Sequence, residues 1–187
     1  KIYRTNLITT KIKNLLIDLF SLLLIGLSVG CTLGIVSNLF VKGVSFITDF
    51  KNNLSADILP SSLVPIISLL FAAILIIIIR KIFNIDRWHG PPDAILASHQ
   101  INNSIDVKKG FGSTLTAFIS ASGGASVGQY GPLVHFGATV ATFLEGFTSK
   151  RLPPGIFIGC GVAAAISAGF NAPIAGLVFA HEAILRH

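Results

Sequence analysis

Two short segments of this sequence combine glycine and proline in a pattern that suits anion binding. Residues 128–132 read Gly-Gln-Tyr-Gly-Pro, and residues 89–93 read His-Gly-Pro-Pro-Asp. Proline is favoured in the first turn of a helix, where its missing N–H costs nothing, and glycine lets a ligand approach the backbone. Each segment therefore predicts a helix N-terminus, where unpaired N–H groups and a partial positive charge attract anions.

The charge pattern around these two breaks favours an anion over a cation. The 128–132 segment has no charged residue, and Asp93 is predicted to open a short amphipathic helix after the other segment. We therefore expect no charged side chain to be committed to the break itself. Tight packing by glycine and kinks at proline are the alternative explanation.

The elements that must hold these segments are strongly apolar. Of the 187 residues, 52% are hydrophobic and only 12% are charged, whereas about 25% charged residues are usual in soluble domains. Four stretches contain no Lys, Arg, Asp or Glu: residues 19–41, 58–79, 110–144 and 152–181. Since about 20 apolar residues cross a bilayer, the sequence predicts an all-α polytopic membrane protein and argues against a soluble enzyme.

Two of these stretches predict long helices and two predict broken ones. A helix over 14–47 would be about 50 Å long and must tilt or protrude from a hydrocarbon core of about 30 Å, whereas 61–83 spans nearly upright. Breaks at 123–132 and at 170–173 (Phe-Asn-Ala-Pro) leave helices too short to span alone. Paired broken helices point to an ion or substrate site, because broken backbone is tolerated in a membrane only where it is buried or lines a cavity.

Three further patterns predict packing and orientation. Gly26, Gly30 and Gly34 recur every fourth residue, which predicts a close helix contact. Lys1, Arg4, Lys11 and Lys13 precede the 14–47 run with no acid among them, which predicts a cytoplasmic N-terminus. The net charge of +6 therefore indicates topology rather than nucleic-acid binding. An apolar face at helical spacing favours contact with either a partner or lipid; it comprises Ile174, Leu177, Val178 and Leu185.

These segments resemble motifs of the CLC family of voltage-gated chloride channels and chloride/proton antiporters. Residues 128–132 are similar to the family's Gly-Arg/Lys-Glu-Gly-Pro motif, and 89–93 loosely resembles its Gly-Ser-Gly-Ile-Pro-Glu motif. Residues 159–184, with the Phe-Asn-Ala-Pro break, are the more specific match. The resemblance covers residues 1–187 as a single transmembrane domain with long tilted helices and short broken half-helices. It corresponds to the family's first inverted repeat, and the second repeat is absent from this sequence.

The resemblance implies which residues form the site and which family residues are replaced. The gating glutamate of the family falls on Tyr130, its pore-lining serine on His89, and the inner glutamate of antiporters on Ala183, beside Glu182. Neither tyrosine nor alanine has a carboxyl group to pass protons near neutral pH. Tyr130 would either plug the pore or donate its O–H to an anion, and His89 would either contact the anion as a neutral donor or be structural. The implied anion-binding residues are His89, Gly90, Pro91, Gln129, Tyr130 and Gly131.

Together these observations predict a membrane anion channel or transporter that is passive and is not an enzyme. Chloride or another small anion would be the permeant ligand, without cofactor or metal. The expected partners are the lipid bilayer and a homodimer mate or partner chain completing the pore. Two alternatives are a degenerate relative that serves as a structural subunit of a larger membrane complex, and a nicotinamide enzyme. The second requires 156–158 to be a strand before the glycines at 159 and 161.

Overall fold

The computed structural model describes residues 2–56, 63–99, 105–128, 130–147 and 153–185. Within these residues the regular elements are all helices, which confirms the predicted all-α fold. They are α1 (Ile2–Ala56), α2 (Val64–Phe83), α3 (Pro91–His99), α4 (Val107–Gly123), α5 (Tyr130–Glu145), α6 (Pro154–Phe170) and α7 (Pro173–Phe179), which continues as a π-helix over Ala180–Leu185.

The first two helices are long and apolar enough to cross a membrane. α1 has 55 residues, more than predicted, and at 1.5 Å per residue it is about 80 Å long. It contains no proline, so nothing in its sequence ends the helix at the limits of the apolar run. α2 has Pro65 in its first turn and ends at Asn84, whose φ of 52° stops the helix.

The packing predicted for the glycines of α1 is wrong within the described structure. A Cβ added to Gly26, Gly30 or Gly34 would meet no atom within 4 Å. α1 packs instead through Val29 and Leu33, which are fully buried against α5 and α6. Val29 and Leu33 are four residues apart and form an apolar ridge on one face, which buries more hydrocarbon than a glycine face would.

α5 and α6 form the centre of the molecule. Every residue from 133 to 141 on α5 is buried, and the two helices cross at Gly137 and Gly161. A Cβ on either glycine would overlap the carbonyl oxygen of the other, so that only glycine permits this backbone contact. One apolar cluster joins α3, α5, α6 and the π-helix, and a second joins α1, α5 and α6.

The break predicted at residues 170–173 is confirmed. α6 ends at Asn171 with a left-handed φ of 52°, and α7 begins at Pro173. Since α6 begins at Pro154, residues 156–158 are helical and not a strand. The nicotinamide-enzyme alternative is therefore wrong, because its fingerprint requires a strand at this position.

The apolar face predicted on α7 is correct for three of its four residues. Ile174, Leu177 and Val178 are exposed, but Leu185 packs against Gly159 of α6. A π-helix has more residues per turn than an α-helix, so the register shifts after Ala180 and turns Leu185 inward.

The loop from α2 to α3 is fixed by ionic contacts from α2 and α4. Arg80 donates from its side chain to the carbonyl oxygens of Ile85 and Asp86, at 3.0 and 3.2 Å. The ammonium of Lys109 on α4 lies 2.7 Å from the carboxylate of Asp86. This hydrogen bond lowers the pKa of Asp86 and raises the pKa of Lys109. Such exposed pairs contribute modestly to stability, and here they orient the segment that leads to His89.

Candidate anion site

The predicted break between α4 and α5 is present. α4 ends at Gly124, whose φ of 100° is left-handed, and α5 begins at Tyr130. The first N–H groups of a helix have no partner inside it. Tyr130 and Gly131 therefore present backbone donors at the start of α5, whereas Pro132 has none. Gln129 lies outside the described residues.

The N-terminus of α3 differs from the prediction because an acidic side chain is committed to it. The carboxylate of Asp93 accepts the N–H of Gly90 at 2.8 Å and pairs with Arg87. Burial would raise the pKa of Asp93, but the Gly90 N–H and the guanidinium of Arg87 outweigh it, so that this pKa lies below its ordinary value. An aspartate in the first turn satisfies donors that the helix leaves unpaired, which explains its presence.

The backbone of α3 consequently has few donors left for a ligand. The Gly90 N–H is used by Asp93, the Asp93 N–H is donated to the carbonyl oxygen of Gly90, and Pro91 and Pro92 have no N–H. The donors nearest to this helix start are therefore side chains. His89 is the first of them: it is half-buried, and its Nδ1 lies 3.7 Å from the Asp93 carboxylate.

The structure brings the two helix starts together. A Cβ added to Gly131 would lie 3.9 Å from Pro91, so the N-termini of α3 and α5 are neighbours. The rings of His89 and His135 stack with centroids 5.8 Å apart and planes inclined by 15°. Five of the six residues implied by the resemblance are thus near this junction, namely His89, Gly90, Pro91, Tyr130 and Gly131.

His135 is a candidate site residue that the sequence analysis did not identify. It is 1% exposed, and neither ring nitrogen makes a hydrogen bond of ordinary geometry among the described residues, although the backbone of Gly90 lies close enough to interact with the ring. A neutral imidazole has one donor and one acceptor nitrogen, and leaving such a group unsatisfied costs about 1–3 kcal/mol. Its spacing was informative, because His135 follows Gly131 by four residues and lies on the same face of α5.

Tyr130 connects the junction to the second broken helix. Its ring stacks on Phe170 with centroids 4.2 Å apart, and Gly169 leaves room for this contact, since a Cβ there would lie 2.9 Å from the tyrosine ring. Phe170 is the last residue of α6, immediately before the break at Asn171. Tyr130 is therefore held between the start of α5 and the end of α6.

Ala183, on which the resemblance places the inner glutamate of antiporters, lies away from this junction, in the π-helix. Ala183 is half-buried there, and the neighbouring His181 and Glu182 are exposed. Among the described residues, no three His, Cys, Asp or Glu side chains are arranged to hold a metal ion.

The sequence of this chain matches a known protein family. A model of the family described as "Voltage gated chloride channel" matches residues 71–187, which include every helix from α3 onward and most of α2. The chain belongs to the voltage-gated chloride channel family. With its two membrane-length helices, this member of the family is an integral membrane protein.

Curated members of the family are similar to different lengths of this chain. "Chloride channel protein A" of Dictyostelium discoideum is 27% identical over 205 residues, covering 97% of this chain and 24% of that protein. "Chloride channel protein CLC-e" of Arabidopsis thaliana is 38% identical over 80 residues, covering 42% of this chain and 11% of that protein. "Voltage-gated ClC-type chloride channel ClcB" of Escherichia coli is 28% identical over 103 residues, covering 54% of this chain and 24% of that protein. The chain thus spans a quarter or less of these relatives. No solved structure matches it.

Proposed function

We propose that this chain forms one wall of a membrane pathway for a small anion such as chloride. The observation that carries the proposal is the approach of Gly131 to Pro91, because it brings the starts of α3 and α5 to one point. The N-terminus of α5 offers backbone donors and a partial positive charge. The charge of Asp93 is balanced by Arg87, so the junction keeps a weak positive field that attracts an anion without trapping it.

Tyr130 is the gate of this pathway, and flux through it is passive. Its ring lies at the start of α5 and is held by stacking on Phe170, which supports a role as a plug. Without a carboxyl group at residue 130 or 183, the chain has no proton carrier at the two positions that the family uses. The expected activity is therefore transport down the anion gradient, without catalysis and without a cofactor.

Variants of Tyr130 test whether this residue is the gate. The assay measures chloride efflux from liposomes that contain the protein and any partner polypeptide that co-purifies with it from its membrane. Tyr130→Ala should raise flux several-fold, whereas Tyr130→Phe should change it little because the stacked ring remains. Tyr130→Glu should make flux depend on pH over about pH 4–6, where a carboxyl group titrates. Phe147→Ala is the matched control, because Phe147 is an exposed aromatic residue in the turn after the C-terminal end of α5, the end opposite this junction.

Two outcomes of the same assay would contradict the proposal. If the protein conducts and neither Tyr130→Ala nor Tyr130→Glu alters flux, Tyr130 only packs and the site is elsewhere. If a chloride gradient drives stoichiometric proton movement, the pathway is coupled. Glu182, exposed beside Ala183, would then be the first carboxylate to replace with glutamine.

A structural subunit of a larger membrane complex is the second candidate function. Two contacts favour this function: the Asp93 carboxylate accepts the N–H of Gly90 at the start of α3, and the ring of Tyr130 packs on Phe170. Groups engaged in such contacts stabilise the fold rather than bind an anion. A protein that never conducts, yet is required for the stability of its complex, would support this candidate over the first.

We further propose a cytoplasmic N-terminus and an association through α7. The basic residues before the apolar part of α1 support the orientation. Ile174 and Leu177, at 80% and 66% exposed, support a contact with a second copy or a partner chain that completes the pore.

A further inference from the structure

A deep groove between α1, α2 and α4 lies apart from the junction of α3 and α5. Its volume is about 610 Å³, within the range of about 300–1,000 Å³ typical of small-molecule sites. Its floor is closed by direct contact of α2 with α4, since a Cβ on Gly123 would lie 2.6 Å from the Cβ of Ala72. Most of its lining is apolar, including Ile47, Phe50, Ile67, Phe71, Leu75 and Phe118.

One end of this groove is polar and positively charged. Lys51 is the charged residue of the lining, and its ammonium lies 3.3 Å from the hydroxyl of Ser68 and 3.5 Å from the carbonyl oxygen of Gly123. Both contacts are long, because N–H···O hydrogen bonds usually measure about 2.7–3.2 Å. Ser68 donates its own hydrogen bond to Gly123 at 2.6 Å. Among the described residues that line the groove, none carries a negative charge to pair with this ammonium.

A buried hydroxyl in the same lining also lacks a partner. The Oγ of Ser122 has no hydrogen-bond partner among the described residues, and this residue is 6% exposed. A buried hydroxyl without a partner costs about 1–3 kcal/mol. Because this oxygen has almost no exposed surface, it reaches an acceptor oxygen in the groove when the side chain rotates toward it. Ser122 precedes Gly123, whose carbonyl oxygen Lys51 approaches, so the unpaired hydroxyl and the unpaired charge lie at the same end.

The direction of the groove matches that of a lipid in a bilayer. Lys51 lies near the end of α1, Ser68 near the start of α2, and Gly123 at the end of α4, so the polar end coincides with helix termini. From Ser68 the lining follows α2 to Leu75, a distance of about 10 Å at 1.5 Å per residue, and Val64 lies on the side of Ser68 toward the helix start. The ends of the two membrane-length helices, α1 and α2, lie near the headgroups, and the apolar lining extends toward the hydrocarbon core.

We propose that this groove binds an anionic phospholipid. Its phosphate pairs with Lys51, an ester carbonyl oxygen accepts the hydroxyl of Ser122, and an acyl chain lies along the apolar lining. The positive charge at one end complements an anionic headgroup, and the apolar lining along the rest complements an acyl chain. The occupant that this combination fits is therefore a lipid.

Electron paramagnetic resonance with spin-labelled lipids tests the proposal. The probes are phosphatidylglycerol and phosphatidylcholine labelled on the acyl chain, in vesicles of 3:1 phosphatidylcholine to phosphatidylglycerol that contain the protein. The wild type should immobilise phosphatidylglycerol in preference to phosphatidylcholine. Lys51→Gln should reduce this preference about fivefold, the factor that corresponds to about 1 kcal/mol for one lysine at an anionic surface.

Three further variants make the test specific. Lys42→Gln removes the same charge from an exposed position on α1 outside the groove and should leave the preference unchanged. Lys51→Arg retains the charge and should retain the preference. Ile67→Trp fills the groove and should reduce the immobilised fraction of both lipids. The proposal is overturned if the wild type shows no preference, if Lys42→Gln acts as strongly as Lys51→Gln, or if Ile67→Trp leaves both fractions intact.

Discussion

At the scale of single residues, His135 gives the junction a chemistry that two bare helix ends would not have. The α3 backbone retains few donors, so side chains are the additional donors near the start of α5. His135 is buried directly behind the half-buried ring of His89, and neither of its nitrogens makes a hydrogen bond of ordinary geometry among the described residues. We infer that its N–H supports the anion, either by direct contact or through a bound water.

Replacing His135 by phenylalanine separates this role from simple packing. Phenylalanine keeps an aromatic ring but removes the donor, so chloride binding should weaken about tenfold or more, as for loss of a hydrogen bond to a charged group. Thermal stability should be unchanged or slightly raised, because an apolar ring removes an unsatisfied buried polar group. His135→Gln keeps a donor and should retain part of the affinity. Calorimetric chloride titration and thermal unfolding measure the two effects.

A structural histidine would give the opposite result. In that case His135→Phe would lower the unfolding temperature and leave chloride affinity in the folded protein unchanged.

The sequence predicted the neighbourhood of Tyr130 more readily than that of His135. The Gly-Gln-Tyr-Gly-Pro segment marks a helix start through local rules for glycine and proline, and those rules hold in the structure. For His135 the sequence offered only its spacing of four residues from Gly131. Its stacking on His89, 46 residues earlier in the sequence, depends on the packing of α3 against α5, which local rules do not describe.

At the scale of helices, the contact of α5 with α6 is the element on which the site depends. Gly137 and Gly161 let the two backbones touch, and this contact places the start of α5 beside the end of α6, where Tyr130 meets Phe170. A side chain at the crossing must push the helices apart. Displacement of α5 would move both Tyr130 and Gly131 away from α3.

Alanine substitutions at a glycine in the α5–α6 crossing and at an open glycine of α1 measure how far the fold depends on this helix contact. Gly161→Ala should destabilise the protein by about 1–3 kcal/mol or more, because its Cβ overlaps backbone that cannot rotate away. Gly26→Ala is the matched control in another apolar helix, and it should be neutral or slightly stabilising because no atom lies within 4 Å. Unfolding in mixed micelles by a graded denaturing detergent measures both. Equal losses in the two variants would contradict the assignment and would indicate that the α1 glycines contact a partner.

Helix breaks were more predictable from the sequence than helix faces. Breaks depend on glycine and proline within a few residues, and those near residues 123–132 and 170–173 occur where expected. Which face of a helix is buried depends on which other helix packs against it. The glycines of α1 remain open while Val29 and Leu33 are buried, and the π-helix rotates Leu185 into the core. A spacing of four residues cannot distinguish these outcomes.

At the scale of the whole molecule, the described residues of this chain line the candidate anion pathway on one side. An anion that leaves water needs donors around it, because an ion without compensating contacts is strongly disfavoured in a low-dielectric medium. The chain contributes the start of α5, the side chains of His89 and His135, and a start of α3 whose donors are largely used. The curated relatives are at least four times as long as the part that this chain matches.

We therefore expect the 187-residue chain alone not to conduct. Reconstituted into liposomes, it should release chloride no faster than protein-free liposomes do, and flux should appear when the polypeptide that completes the pathway is present. The control is a folding check by circular dichroism on the same preparation, which should show a predominantly helical protein. Robust, chloride-selective flux from the isolated chain would contradict this expectation.

The lengths of the helices also set the order in which this protein can enter a membrane. α1 and α2 are long enough for the insertion machinery to release them into lipid one at a time. α5 and α6 have 16 and 17 residues, about 24–26 Å, and each exposes unsatisfied backbone at a break. They must leave the machinery together, already paired through Gly137 and Gly161. We therefore expect an early stage of independent insertion and a late stage in which pairing precedes release, and a variant that impairs the pairing should accumulate less in its membrane than the wild type.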